Sequence, residues 1–185
     1  MVYLGIGNLD KRIRYSNENI SLLSAIPSKL LSNSNEISEF LWPILRDFLD
    51  FEKGVYFESI QKRLFGKILL VSSDNKGHHE LLNFLTSFSG MKRFCRLCYI
   101  HRKQMNEFQI EKFQQRNMDH YEEVMQCFEE KSKGLAVHGI KGSTTFSIMD
   151  MDLFQQFPID ICHCENEGIL KAHFQNMMFH FIDKK

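Results

Sequence analysis

The run Lys67-Ile68-Leu69-Leu70-Val71 stops at Ser73-Asp74-Asn75-Lys76-Gly77, and apolar residues then resume at helical spacing through Leu81, Leu82 and Leu85. A short apolar run bounded by turn residues predicts a buried strand, and leucines three and four apart predict a helix. Strand, acidic turn and helix together put Asp74 at the carboxyl end of a sheet strand, where open α/β sheets assemble their sites. That order directs the chain to an α/β (or α+β) fold.

The rest of the chain is read in the same way. Val2 to Leu9 predicts a strand, and Arg12 to Ile26 a second strand with polar turns. Ser32-Asn33-Ser34-Asn35 is a turn and helix-capping cluster. Ile37, Phe40, Leu41, Ile44, Leu45, Phe48 and Leu49 follow at helical spacing, with Pro43 predicting a kink or a restart. Val55-Tyr56-Phe57 and Arg63-Leu64-Phe65 predict a hairpin. Met91 to Lys103 is basic and holds Cys95 and Cys98, and residues 104–133 place Tyr121, Val124, Met125 and Phe128 on one helical face. Gly134 to Asp152 reads as loop, and Glu165 to Ile182 as a helix. The organisation expected is a core over residues 1–90, a Cys-x-x-Cys helical insert over 91–157, and a closing motif and helix over 158–185.

Composition removes several classes. With 185 residues, 43% hydrophobic content, 17 Phe and 9 Met, the chain can bury a core and is not a disordered type. Lys+Arg and Asp+Glu both number 23, so no net field draws it to DNA, RNA or anionic lipid, and nucleic-acid contact needs a local patch. No apolar run is long enough to span a bilayer. The amino terminus lacks the basic and cleavage regions of a signal peptide. Five cysteines, an odd number, favour reduced thiols or a metal over disulfides. A nuclear or cytoplasmic protein is expected, not a secreted one.

Three constellations carry chemistry, each beside a plainer reading. Asp74 is placed to hold a divalent ion, since Mg²⁺ takes one or two carboxylates with water and substrate; the plainer reading is an Asx turn capping the next helix. Cys95 and Cys98 form half of a tetrahedral zinc site, with His101 nearest as a third ligand and Cys162, His163 and Cys164 able to close it from a distance. Two reduced cysteines with no metal are the alternative. Asp160, His163 and Glu167 fall on one face of a helix, as a metal or acid–base face, or else as an N-cap and first-turn acid that offset the helix dipole. The other histidines, His120 and His138 among them, take surface or helix-face positions by default, and His78-His79 stand out only for their closeness to Asp74.

Taken in order, these motifs resemble a known family. Val2-Tyr3-Leu4-Gly5-Ile6-Gly7-Asn8-Leu9, Ser73-Asp74-Asn75, Cys95-Arg96-Leu97-Cys98, Gly139-Ile140-Lys141-Gly142 and Asp160-Ile161-Cys162-His163-Cys164-Glu165-Asn166-Glu167-Gly168-Ile169 are similar to successive elements of transposon-derived proteins related to CACTA-type cut-and-paste transposases. The likeness extends over nearly the whole chain. It implies a partial ribonuclease-H-like core interrupted by a Cys-containing insert, and metal-assisted cleavage and transfer of DNA strands. A pair of Mg²⁺ or Mn²⁺ ions would activate water or a 3′-hydroxyl and stabilise the leaving oxygen. Asp74 would match the second acid of the Asp-Asp-Glu set, Asp160 and His163 the Asp-x-x-His element, and Glu167 the Glu, with a residue beyond Lys185 as the alternative. DNA and a second copy of the chain are the partners implied.

The chain also departs from the pattern. The family's first catalytic Asp lies upstream of the strand at which this sequence opens, and Cys162 and Cys164 stand where the pattern has Met and Asp. The expectation is a transposase-like core without independent activity. A zinc-stabilised interaction module without catalysis is the alternative.

Overall fold

The computed structural model describes residues 1–25, 27, 34–86, 92–93, 95–104, 113–131, 138–161 and 170–182. Helices are combined with small antiparallel sheets, and the chain divides into two compact units. No described helix is long and apolar enough to cross a membrane.

The first unit comprises Met1–Leu69 and Thr144–Asp150. Strand β1 (Val2–Gly5) pairs antiparallel with β2 (Ile20–Ser24), in a register that joins Tyr3 to Leu22 and Gly5 to Ile20. Between them the expected single strand gives way to a short helix, α1 (Lys11–Arg14). Asp10 caps it by accepting the Arg12 N–H. Helix α2 (Ser34–Lys53) runs unbroken through Pro43. Its apolar spacing buries Leu41 and Leu45, and the helix packs against the turn at Thr145–Ile148, where Phe146 is buried.

The expected hairpin forms as β3 (Val55–Phe57) and β4 (Lys62–Leu64), with Val55 opposite Leu64. Gly54, at φ +92°, lies so near the Phe65 ring that an added Cβ would meet its Cε1 at 2.5 Å. The strand expected at Lys67–Val71 does not form. Leu69 and Leu70 are 61% and 59% exposed, so the run is not covered as a buried strand would be.

The second unit comprises Leu70–Ser143 and Met151–Lys185. Helix α3 (Asn75–Leu81) is capped by Asp74, whose Oδ1 accepts the Gly77 N–H. It stops short of Leu85 because Asn83 turns left-handed, at φ +57°, a conformation Asn tolerates at a helix end. Phe84 then bridges antiparallel to Ile140, with Leu85 N–H bonded to Gly139 O and Lys141 N–H to Asn83 O. Helix α4 (Met118–Lys131) buries Tyr121 and Val124 as its spacing requires. In α5 (Leu170–Ile182), Leu170, Phe174, Met177 and Met178 are exposed. The core of this unit joins Leu82, Phe84, Tyr121, Val124, Ile140, Met151, Leu153 and Phe157. Four polar side chains are buried with them: His78, His79, Arg96 and Arg116.

Candidate functional site

Asp74 and Asp160 lie in the second unit, and both act electrostatically on one imidazole, that of His78. Asp74 is exposed and spends one carboxylate oxygen on the α3 cap, so the plainer reading of it holds, and the other oxygen is left for a further partner. Asp160 is half-buried at the end of the segment that follows Phe157. His78 is fully buried, with its ring edge-on to Phe157 at 5.7 Å. Its Nε2 faces Val71 O at 3.2 Å. A carbonyl oxygen only accepts, so Nε2 carries the proton and Nδ1 is a bare lone pair. That Nδ1 is buried without a hydrogen-bond partner. Burial holds the His78 pKa below the usual range, and the charge of Arg96 acts in the same direction.

Arg96 connects the cysteine motif to the acidic one. Buried at 3% exposure, it donates from Nη1 to Phe157 O (2.8 Å) and from Nη2 to Pro158 O (3.0 Å), just before Asp160. The planar fork of an arginine presents a separate nitrogen to each of two adjacent carbonyls, a geometry that lysine's single nitrogen does not reproduce. His163 and Glu167, together with Cys162 and Cys164, lie outside the described residues.

Cys95 and Cys98 are half-buried, free thiols that interact with each other. Leu97 N–H points to Cys95 Sγ at 3.4 Å, and the Ile100 N–H bonds to the Cys98 sulfur. Backbone donors aimed at sulfur favour the thiolate, whereas burial and the neighbouring Cys95 push the Cys98 thiol upward. The expected third ligand, His101, is otherwise engaged: its Nδ1 accepts the Lys103 N–H at 3.2 Å and its backbone N–H bonds to Gln104 Oε1. Among the described residues, no three His, Cys, Asp or Glu side chains converge as metal ligands.

A second buried guanidinium organises the ground around the thiols. The Leu97–Tyr99 backbone pairs with residues 114–116 through Tyr99 N–H to Gln114 O and Arg116 N–H to Leu97 O. Arg116 Nε donates to Cys95 O (2.9 Å) and more weakly to Cys98 O (3.3 Å), and Nη2 donates to His138 O (2.6 Å). Its guanidinium lies over the rings of Tyr99 (4.9 Å) and Phe84 (5.4 Å). Burial brings its pKa down to about 10, so it still carries its charge at neutral pH.

Beyond Tyr99 stand His120 and His138, both held below the usual histidine range, first by burial. The linear order leaves these two in the default surface role and does not single out Arg116. No local pattern marks an arginine that will be buried, or two histidines eighteen positions apart that meet in the fold. Comparison finds no family model, no curated protein and no solved structure that matches the chain.

Proposed function

We propose that this chain is a transposase-like, ribonuclease-H-like core domain that does not cut DNA by itself. The observation that supports it best is that Asp74, the α3 cap four residues before buried His78, and Asp160, eighty-six positions on from Asp74, both act on that imidazole, each more weakly than its burial and Arg96 do. The order of the five sequence motifs adds to it, as does the Arg96 bridge from the cysteine motif to the segment preceding Asp160. Asp74 and Asp160 suit one Mg²⁺ or Mn²⁺ ion, which needs one or two carboxylates and completes its shell with water. Such an ion supplies charge neutralisation and an activated water or 3′-hydroxyl when bound. The protein's own part is to set the two carboxylates, through the α3 cap and the Arg96 clamp. Two-metal cleavage takes further carboxylates, and among the described residues no three His, Cys, Asp or Glu side chains group as metal ligands.

Mn²⁺ titration followed by NMR tests the reading. Paramagnetic broadening of the His78 resonances, lost in both Asp74→Asn and Asp160→Asn, is expected. Unbroadened His78 signals at millimolar Mn²⁺ would remove the site. Mg²⁺-dependent nicking of duplex DNA by the purified chain would contradict its inactivity.

A second reading, a zinc-stabilised interaction module without catalysis, is favoured by the paired backbone donors on Cys95 and Cys98. It predicts about one bound zinc per chain, lost together with stability in Cys95→Ser. Metal-free protein of unchanged stability would dismiss it.

A further inference from the structure

His120 is set by its helix. It lies in the first turn of α4, where its N–H bonds to Asn117 Oδ1 at 3.0 Å. His138 is set by a turn. Its backbone is left-handed at φ +51°, Gly139 follows at φ +88°, and Arg116 Nη2 grips its carbonyl oxygen at 2.6 Å. A histidine held left-handed is uncommon outside turns, and such conformations persist only where the surroundings fix them.

The two rings stack with centroids 5.3 Å apart and planes within 14°, and His138 Nδ1 stands 3.4 Å from His120 Nε2. On its other edge, His120 Nδ1 is 3.6 Å from Glu123 Oε2. A carboxylate facing Nδ1 favours the proton there, which leaves the Nε2 lone pair directed at His138. The Tyr99 ring meets both imidazoles edge-on, at 4.4 Å and 6.1 Å.

This spacing has a chemical meaning. Two nitrogens bound to one tetrahedral ion at roughly 2.0–2.1 Å stand about 3.3–3.4 Å apart, which is the separation found here. A carboxylate behind a ligating imidazole is the usual support of such ligands. We propose that His120 and His138 form a two-imidazole site for a divalent transition metal of the zinc class, with Glu123 positioning His120. The half-buried His120 and exposed His138 leave the ion's other positions open to water. Arg93 and Arg116 lie close enough to act on His138, and their charge disfavours hard ions held by electrostatics alone. The site therefore selects metals that bond well to imidazole, and not Mg²⁺ or Ca²⁺. It uses neither the thiols nor the carboxylates invoked above.

The test uses the full chain, Zn²⁺ titration calorimetry and Co²⁺ absorption. One Zn²⁺ per chain is expected, with affinity at least tenfold weaker in His138→Asn, which tolerates the left-handed backbone, and in His120→Gln. Glu123→Gln should weaken binding less, and Cys95→Ser should leave it unaltered. Co²⁺ should give a ligand-field spectrum without sulfur charge-transfer bands. A sulfur band accompanied by loss in His138→Asn would add the thiols to the site and still support the imidazole pair. Absence of binding overturns the site. So does a sulfur-band complex that His138→Asn leaves intact and Cys95→Ser abolishes, a result that would uphold the thiol-based zinc reading instead.

Discussion

Arg96, the residue that follows the first cysteine of Cys95-Arg96-Leu97-Cys98, donates a 2.8 Å hydrogen bond to the carbonyl oxygen of Phe157, sixty-one residues further on. The cysteine and acidic motifs are therefore joined by a side chain whose place in the sequence marks it only as a spacer. Its cationic donors are desolvated and matched to two fixed acceptors, Phe157 O and Pro158 O. Replacing Arg96 with Met should destabilise the second unit by about 2–4 kcal/mol, because both carbonyls lose a charged donor. Arg96→Lys should recover less than half of that, since a single ammonium nitrogen does not reproduce the two separate fork nitrogens that meet Phe157 O and Pro158 O. Urea unfolding of the two variants checks this, and equal stability of Arg96→Lys and the parent would refute it.

His79 makes acid stability measurable. Its Nδ1 faces Leu85 O at 2.8 Å and so carries the proton, while burial holds the ring's pKa below its ordinary value of 6.5. The folded state thus binds fewer protons than the unfolded one between the lowered pKa and about 6.5. Stability contributed by the neutral ring is complete above about pH 6.5 and falls as pH drops through that window. Denaturation midpoints at about pH 7.5 and about pH 5.5 should differ in the parent, and the difference should shrink in His79→Asn. A midpoint that rises on acidification would contradict the sign.

Gly77→Ala should destabilise, against the usual gain from replacing a helical glycine. A Cβ there would collide with Ser73 Oγ and lie 2.9 Å from Asp74 Oδ1, the atom that caps α3. Alanine's propensity advantage of about 1 kcal/mol is outweighed by overpacking of about 1–3 kcal/mol together with the weakened cap. A melting curve moved upward by Gly77→Ala would show that the Ser73–Asp74 turn gives way freely.

Pro43→Ala should act in the opposite direction. Pro43 is exposed inside the continuous helix α2 and lacks the donor that would reach the Glu39 carbonyl. Alanine restores that bond and removes the ring's clash with the preceding turn, for a gain of about 1–3 kcal/mol. Circular dichroism melts of the full chain measure it, and a loss of stability would mean that the proline ring packs usefully.

Local elements are largely legible in the order of the residues. The spacing of Leu41 with Leu45 and of Tyr121 with Val124 locates α2 and α4, because a helix buries every third or fourth residue whatever it packs against. The two apolar runs locate the β3–β4 hairpin, and turn chemistry locates the Asp74 cap. The Lys67–Val71 run misleads for a definite reason. Apolar composition says that a segment can be covered, but a strand exists only where another backbone offers it a ladder.

What chain order does not disclose is which polar groups share a neighbour. Asp160 bears on His78 through folding alone, and Tyr99 gathers His120 from the start of α4 and His138 from the turn beyond it. Periodicity is a property of consecutive residues, so linear order is enough to specify helices, turns and the residue types available for chemistry. Desolvation and the meeting of distant side chains depend on every element at once. It takes the folded chain to make buried clamps of Arg96 and Arg116, and to leave His78 a bare lone pair in the field of two carboxylates.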